Sequence, residues 1–175
     1  MCCELRMKIK NFSKNFFVYS SFILLIFLLD RISKFYVIYL DKEFLGSEIF
    51  SSKFLNITLI WNEGIAFGLL SFDQNNLYNL LTLLIIIVIF IISWITVKSH
   101  GLKKYSLIMI LGGAIGNLYD RIFFKAVPDF IDFHIGNFHW FIFNFADVFI
   151  TLGVFFMILL EIIDNSRNKS EYEKF

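Results

Sequence analysis

Four long apolar segments follow one another along the chain, and each has the length of a helix that crosses a membrane. They cover about residues 16–38, 77–97, 105–124 and 145–163. An α-helix needs about 20 mostly apolar residues to span the ~30 Å hydrocarbon layer of a bilayer. The second segment has no charged residue, whereas the other three carry polar or ionisable residues toward one end. The pattern predicts an α-helical integral membrane protein with four transmembrane helices.

The two longer connections have strand-like patterns. Residues 53–72 alternate partly between apolar and polar residues, with a turn at Gly64, which is typical of one or two strands. Residues 131–143 have the pattern of a hairpin closed by a Gly-Asn turn, which places His134 opposite His139. Two histidines without a third ligand make a poor metal site, so we expect no metal. We expect a small strand-rich cradle between the first two helices and a hairpin-like loop between the last two.

Composition supports lipid as the surrounding solvent. Of the 175 residues, 58% are hydrophobic and 24 are Phe, with a mean hydropathy of +0.70. This is more apolar surface than a soluble domain of that size needs. The net charge of +1 and the lack of a basic patch with interleaved aromatics argue against nucleic acid as a partner. The adjacent Cys2 and Cys3 cannot staple a fold, and we interpret them as incidental.

The distribution of Lys and Arg predicts the orientation. Cytoplasmic segments carry an excess of basic residues. Residues 41–76 contain only two basic residues, Lys42 and Lys53, whereas both ends of the chain and the 98–104 loop are richer in basic residues. We therefore expect both termini in the cytoplasm, with residues 41–76 and 125–144 outside. We do not expect the first span to be a cleaved signal peptide, because no small-residue cleavage site follows it. The basic residues on the expected inner side are Arg6, Lys8, Lys10, Lys14, Lys98, Lys103, Lys104, Arg167, Lys169 and Lys174.

With this orientation, the polar side chains of three spans lie toward the outer surface. Ionisable groups at membrane depth cost several kcal/mol each unless they are paired or functional. Their common level predicts a polar site between helices, near the outer face of the membrane. These residues are Asp30, Lys34, Asn117, Asp120, Arg121, Asn144 and Asp147.

Some of these residues also have purely structural explanations. Asp30 precedes Lys34 by four residues, which is a favourable order for an ion pair on a helix. Asp120 and Arg121 are adjacent, so we expect each to pair across helices rather than with the other. Gly112 and Gly116 form a small-xxx-small pattern, which favours close packing of a neighbouring helix.

The chemistry that the residues suggest is that of paired carboxylates. The chain has no HExxH zinc motif, no G-x-S-x-G nucleophile elbow and no Walker loop. Two carboxylates that share one proton can hydrolyse an amide, because one activates water while the other polarises the carbonyl. Asp120, Asp129, Asp132 and Asp147 are all candidates, and their spacing does not choose among them.

Five short motifs follow one another along the chain: DRISK from Asp30, NEGIAFG from Asn62, GGAIGNLYDR from Gly112, VPDFIDF from Val127 and FNFAD from Phe143. Over nearly the whole chain, these ordered motifs resemble those of bacterial lipoprotein signal peptidase, signal peptidase II. The resemblance implies a single membrane-embedded peptidase domain over residues 1–175, in the bacterial inner membrane. It departs from the family pattern at Pro128, where the family usually has Val.

The resemblance also implies roles for the site residues. Asp129 and Asp147 would be the catalytic aspartates of an endopeptidase that needs no cofactor. The substrate would be a diacylglyceryl-modified prolipoprotein, cut before its modified cysteine, and membrane lipid would be a further partner. We expect Asp129 in a loop, where water access suits a general base. The residues expected to bind substrate or order the site are Asn62, Gly64, Asn117, Asp120, Arg121, Asn144, Asp30 and Lys34.

Two other classes of protein remain as alternatives. Intramembrane Asp, Arg and Lys also mark the paths of ion- or proton-coupled transporters. A non-catalytic membrane subunit could pair its buried charges with a partner. Against a transporter, the polar groups cluster at one face and no inverted repeat is visible. The sequence does not predict an oligomeric state.

Overall fold

The structure, a computed structural model, describes residues 2–64 and 74–172. This part of the chain forms four α-helices and one antiparallel sheet. The helices are α1 (Cys2–Glu43), α2 (Gln74–Lys98), α3 (Gly101–Phe123) and α4 (Phe145–Tyr172). The strands are β1 (Phe50–Ser51), β2 (Leu55–Asn62), β3 (Val127–Ile135) and β4 (Phe138–Phe143), joined in the order β1-β2-β3-β4. The part of the expected cradle in residues 65–72 lies outside the described residues.

Three helices of the described chain are long and apolar enough to cross a membrane. These spans are Phe16–Glu43 in α1, Tyr78–Lys98 in α2 and Phe145–Ser166 in α4. Their outer faces expose large apolar side chains, such as Phe90 on α2, which suits contact with lipid. The prediction of membrane helices is confirmed for these three.

The fourth expected span, α3, has a different character. It is a helix of 23 residues, but its sequence contains Lys103, Lys104, Asp120 and Arg121 and does not qualify as a span by composition. The helix packs against α1, α2 and α4 and has ten buried residues. Because protein rather than lipid covers much of α3, it needs less apolar surface than the other helices.

Glycines allow the neighbouring helices to approach α3 closely. A Cβ atom at Gly112 would lie 2.8 Å from the side chain of Ile26, and one at Gly116 would lie 2.6 Å from Oδ2 of Asp30. A Cβ atom at Gly113 would likewise lie too close to the backbone carbonyl oxygen of Ala146 on α4. The prediction that the small-xxx-small pattern packs helices is confirmed.

The sheet joins the two segments that the sequence indicated separately. β3 and β4 form the expected hairpin, in which His134 pairs with His139 across a turn that contains Gly136. β2 pairs with the other edge of β3. The expected cradle strands and the expected hairpin are therefore parts of one sheet, which local sequence patterns did not indicate.

A bulge in β2 determines which side chains face the end of α3. Ile57 pairs with Ile131 and Ile60 pairs with Asp129, so β2 has one residue more than β3 between these positions. A shift of one residue moves every following side chain to the other face of a sheet. The bulge therefore puts the side chain of Asn62 on the same face as Asp129.

Candidate active site

Asp129 lies in strand β3, not in the loop that the sequence suggested. The expectation of a loop was wrong because Val127–Ile135 hydrogen-bonds to β2 soon after α3 ends. The side chain is buried, and Asp129 is only 3% exposed. Its Oδ2 accepts a hydrogen bond from Nδ2 of Asn62 at 2.8 Å, and its Oδ1 accepts one from Nδ2 of Asn144 at 2.6 Å. Both carboxylate oxygens are therefore held by amide donors.

Asp147 lies in the first turn of α4 and takes part in capping that helix. Its Oδ2 accepts a hydrogen bond from the backbone N–H of Asn144, and Oδ1 of Asn144 accepts one from the N–H of Asp147, both at 3.1 Å. This reciprocal pair is a capping box, which satisfies free N–H groups at a helix start. The other oxygen, Oδ1, accepts a hydrogen bond from Nδ2 of Asn117 at 2.7 Å. Asp147 is partly exposed.

Asn144 connects the two aspartates. Its side-chain amide donates to Asp129, while its backbone N–H donates to Asp147. Asn144 is itself completely buried. The structure therefore brings both carboxyl groups against one fixed residue, which suits a pair that acts as a unit.

The surroundings of Asp129 favour its protonated form. The pKa of Asp129 is raised from 3.8 to about 6, mainly by burial and to a smaller extent by the negative charge of Asp147. The hydrogen bonds from Asn62 and Asn144 and the charge of Lys34 act in the opposite direction. Burial has the largest effect on this pKa. It raises the pKa because it penalises the charged form of the carboxyl group. A buried carboxyl beside a more exposed one is the arrangement expected for a pair that shares a proton.

A second cluster of four charged side chains lies beneath the two aspartates. Within α1, Nζ of Lys34 lies 2.9 Å from Oδ1 of Asp30, which confirms the predicted i,i+4 pair. Oδ2 of Asp120 on α3 accepts hydrogen bonds from Nη2 of Arg31 and from Nζ of Lys34, both at 2.7 Å. Arg31 also contacts Asp30 at 2.6 Å. All four residues are at most 6% exposed, and their formal charges cancel.

This charge cluster is directly connected to the site above it. Nζ of Lys34 donates to Oδ1 of Asn117 at 2.9 Å, and Asn117 in turn donates to Asp147. Oδ1 of Asp30 accepts the backbone N–H of Ala146 at 3.1 Å, at the start of α4. The cluster therefore fixes both the first turn of α4 and the amide that holds Asp147.

Asp132, the remaining candidate aspartate, faces away from this site. It follows Asp129 by three residues on a strand, and side chains alternate between faces along a strand. Its Oδ2 lies 2.8 Å from Nδ1 of His139, and His134 contacts Asn56 on the same face at 3.2 Å. Among the residues that the structure describes, no group of three or more His, Cys, Asp or Glu side chains has the arrangement of a metal site.

Comparison with known proteins places the chain in a family. The family model of signal peptidase (SPase) II matches residues 22–163. The chain belongs to the signal peptidase II family. The lipoprotein signal peptidase of Pelagibacter ubique (strain HTCC1062) is 46% identical over 158 residues, which cover 90% of this chain and 95% of that protein.

More distant relatives agree with this assignment. The lipoprotein signal peptidase of Anaplasma marginale (strain Florida) is 39% identical over 148 residues, covering 83% of this chain and 84% of that protein. A solved bacterial membrane enzyme, determined by the in meso method at 2.3 Å resolution, has a similar fold with a TM-score of 0.70 and 27% identity. That comparison covers 86% of this chain and 90% of the other. The signal peptidase II family consists of aspartic-type peptidases, and this chain is one of them, in the bacterial inner membrane.

Within the signal peptidase II motifs, Gly64 and Arg121 lie beside each other. Gly64 has φ +87, and its N–H donates to Oδ1 of Asn62 at 2.8 Å. A Cβ atom at Gly64 would lie 2.9 Å from Cδ2 of Leu81 and 3.9 Å from the guanidinium of Arg121. The positive φ therefore favours glycine, and any side chain here would also have to displace the end of Leu81.

Arg121 does not form the ion pair across helices that the sequence predicted, as far as the described residues show. Among these residues it makes no ion pair across helices, and its Nη1 donates to the backbone carbonyl of Asn117 at 3.3 Å. The adjacent residue Asp120 does pair across helices, as expected, with Arg31 and Lys34. The difference arises because Asp120 faces α1, whereas the side chain of Arg121 remains partly exposed beside Gly64.

Arg31 is the site residue that sequence reasoning missed. It lies within the DRISK motif but was assigned no role, yet its guanidinium makes two hydrogen bonds to the Asp120 carboxylate. The available signal was its depth in a membrane span together with its i,i+3 spacing from Lys34, which puts both cations toward the same helix face.

Pro128, the departure from the family pattern, fits its strand. It pairs with Trp61 of β2, and the ladder between β3 and β4 begins only at Ile131. At Pro128, β3 therefore has a neighbouring strand on one side, which is where a residue without an N–H is tolerated. The hydrogen bonds to the carboxylate of Asp129 come from side chains and are unaffected.

Proposed function

We propose that this chain removes the signal peptide from diacylglyceryl-modified bacterial prolipoproteins by cleaving before the modified cysteine, with Asp129 and Asp147 acting on a water molecule. The observation that carries the proposal is the double contact of Asn144, which holds a buried and a partly exposed carboxyl group together. The names of the relatives supply the substrate class.

The environments of the two aspartates divide their roles. Asp147 is the more exposed and acts as the ionised general base that takes a proton from water. Asp129, whose pKa is raised to about 6, acts in its protonated form and donates a hydrogen bond to the scissile carbonyl oxygen. The hydroxide adds to the carbonyl carbon, and the proton held by Asp147 passes to the leaving amine as the C–N bond breaks. The resulting peptide carboxyl and amine account for both parts of the water.

Groups around the pair are suited to holding the peptide. Asn62 is exposed on β2 while its amide reaches Asp129. Arg121 lies partly exposed beside Gly64 and has Nε without a hydrogen-bond partner among the described residues. Such N–H groups donate hydrogen bonds, and a peptide carbonyl oxygen or a lipid oxygen is the kind of acceptor that they would bind. Membrane lipid surrounds the apolar faces of α1, α2 and α4, through which an acylated substrate would enter.

The proposed orientation puts this site near the outer membrane surface, with residues 41–76 and 125–144 outside and both termini inside. Its support is the excess of basic residues on the other side. The expected alternatives, a transporter or a non-catalytic subunit, gain no support. The buried charges of Asp30, Arg31, Lys34 and Asp120 pair with each other and leave none to accompany a transported ion or a partner.

The decisive experiment compares three Asp→Asn variants on quantified, folded protein with a lipid-modified precursor. Asp129→Asn and Asp147→Asn should each reduce single-turnover cleavage by at least ~10²-fold, because an amide neither shares nor accepts the proton. Asp132→Asn is the matched control, since it changes an equally buried carboxyl on the other face of the same strand. Cleavage by Asp129→Asn together with an inactive, folded Asp132→Asn would refute the assignment.

A further inference from the structure

A cavity of about 390 Å³ opens between α1, α2 and α3 at the end of the helices opposite to the catalytic aspartates. On α3 it is lined by Lys104, Ile108 and Leu111, whereas the catalytic end of the same helix begins at Asn117. With a rise of 1.5 Å per residue, Lys104 lies roughly 20 Å along the helix from Asn117. We call this cavity the inner-end pocket, and it belongs to no part of the proposed active site.

Apolar side chains from all three helices contribute to the walls of the inner-end pocket. α1 and α2 both pack on α3, and Ile23 of α1 and Leu111 of α3 line the space between them. Two hydroxyl groups from α2 also line it, but Ser93 and Thr96 each donate to a carbonyl of their own helix at 2.7 Å. The hydrogens of these two hydroxyl groups are therefore not free, and the apolar part of the pocket suits hydrocarbon.

The basic groups of the pocket, Lys104 and His100, lie at its mouth. The ammonium of Lys104 lies 4.5 Å from the ring centroid of Tyr19, which holds it over the opening. No carboxylate among the described side chains lies within ion-pair distance of it, whereas the preceding Lys103 is paired with Glu161 and Asp164. His100 is exposed and makes no capping hydrogen bond to α3, so its imidazole is available to a ligand.

We propose that the inner-end pocket binds a phospholipid with an anionic headgroup from the cytoplasmic leaflet. Its phosphate is bound by Lys104 and His100, and one acyl chain lies along Ile23 and Leu111. Basic pockets between transmembrane helices on the cytoplasmic side suit anionic headgroups, and the pocket volume is that of a typical ligand site. The leaflet follows from the proposed orientation of the chain.

A neighbouring groove provides space for a second acyl chain. It has a volume of about 270 Å³, is lined by Leu24, Phe27 and Ile115, and shares Ser20 and Ile23 with the inner-end pocket. Because Phe27 and Ile115 lie further toward the catalytic end of α1 and α3, this groove leads from the headgroup toward the membrane centre. Two neighbouring grooves that share lining residues, with one cation at the mouth, match a diacyl lipid.

The positive charge at the mouth of the pocket favours an anionic lipid over a signal peptide, which is the other apolar molecule considered as a ligand. The cytoplasmic end of a signal peptide is positively charged. Lys104 at the mouth would repel it, whereas it attracts an anionic headgroup. Charge complementarity therefore favours the phospholipid over the signal peptide as the occupant.

Binding of phosphatidylglycerol and of phosphatidylcholine to the full chain, measured by native mass spectrometry from detergent, tests the proposal. Lys104→Gln should weaken phosphatidylglycerol binding about fivefold, the equivalent of ~1 kcal/mol for one lysine at a headgroup. Lys98→Gln is the control, because it removes the same charge from an exposed side chain that packs on Trp94 and does not line the pocket. Lys104→Arg should retain binding.

The outcomes separate this proposal from the proposed function, because affinity is measured without any cleavage. Equal affinity for the two lipids, or equal losses in Lys104→Gln and Lys98→Gln, would overturn it. So would a photo-crosslinker placed at Val97, on the pocket wall, that captures the signal segment of a precursor rather than lipid. Preferential binding of phosphatidylglycerol that depends on position 104 supports it.

Discussion

At the scale of single residues, the environment of a carboxyl group decides what it does. Asp129 and Asp132 lie on one strand and are both buried, yet one faces Asn62 and Asn144 and the other faces His139. Burial raises the pKa of Asp129 to about 6, and the two amide donors limit that increase because they stabilise the ionised form. Removing one donor should therefore change the protonation of the catalytic pair in a known direction.

We expect Asn62→Ala to raise the pKa of Asp129 above its value of about 6, because a hydrogen bond that favours the ionised form is lost. If protonated Asp129 is required, kcat/KM falls as pH rises through that pKa, and this limb should move to higher pH in the variant. Asn56→Ala, on the same strand but facing His134, is the control and should leave the limb in place. A limb that moves to lower pH would contradict this account.

The same pKa shift affects stability with a definite sign. Because the pKa of Asp129 is raised on folding, its protonation stabilises the fold. That contribution is complete below the unfolded value of 3.8 and is lost as pH rises through about 6. The site therefore accepts a cost in stability at neutral pH to keep a buried carboxyl beside Asp147.

The four buried charges should respond differently to single and double replacement. Asp30→Asn leaves two cations with one anion, and Lys34→Met leaves two anions with one cation. Each should lose about 3–5 kcal/mol, the cost of an uncompensated buried charge. The double variant retains the neutral pair of Arg31 and Asp120, so it should melt above either single variant in detergent. A double variant that loses the sum of both single effects would show that the charges do not interact.

At the scale of elements, the start of α4 joins the catalytic pair to the helix bundle. The capping box of Asn144 and Asp147 closes the first turn, and Asp30 of α1 accepts the N–H of Ala146. Asp30 reaches α4 only because Gly116 lets α1 pack closely on α3. The position of Asp147, a proposed catalytic residue, thus depends on a glycine in another helix.

Gly116→Ala and Gly112→Ala make the same change one helical turn apart and should have different effects. Both add a Cβ within 3 Å of α1, so both should lower the melting temperature. Only Gly116→Ala displaces Asp30, and it should also reduce kcat per folded molecule, by roughly tenfold for a shift of catalytic geometry. Equal activity of the two folded variants would show that Asp30 does not position α4.

Local sequence signals predicted those elements whose causes are local. The Gly-Asn turn was sufficient to predict the hairpin and the pairing of His134 with His139, because turn geometry fixes the register. The strand position of Asp129 depends on its pairing with β2, about 70 residues earlier, and on a bulge with no clear signature. Arg31 was missed for the same reason, since its partner Asp120 lies 89 residues away.

At the scale of the whole molecule, the predicted arrangement has a definite sidedness. The proposed catalytic pair and the sheet lie at one end of the helices, and the connection between α2 and α3 lies at the other. Composition predicted the membrane helices, but it could not show that α3 is largely enclosed by the others. That follows from contacts with α1, α2 and α4, which no single segment encodes.

Reporter fusions should reveal this sidedness. A fusion after Ser52, between β1 and β2, should report the outside, and one after Lys98, at the end of α2, should report the cytoplasm. The reason is the excess of basic residues at the inner ends of the helices. Two fusions on the same side would contradict the proposed orientation and, with it, the leaflet of the inner-end pocket.

The buried charge cluster also has a consequence for how the protein is made. During synthesis, α1 leaves the ribosome with Asp30, Arg31 and Lys34 long before α3 supplies Asp120. Asp30 and Lys34 neutralise each other, but Arg31 then has no second anion, and the span of α1 is the least apolar of the three. We expect the newly made α1 to remain in contact with the insertion machinery, or with a lipid phosphate that pairs with Arg31. Its stable residence in the bilayer would begin only once α3 arrives, so biogenesis would be ordered by electrostatics rather than by hydrophobicity alone.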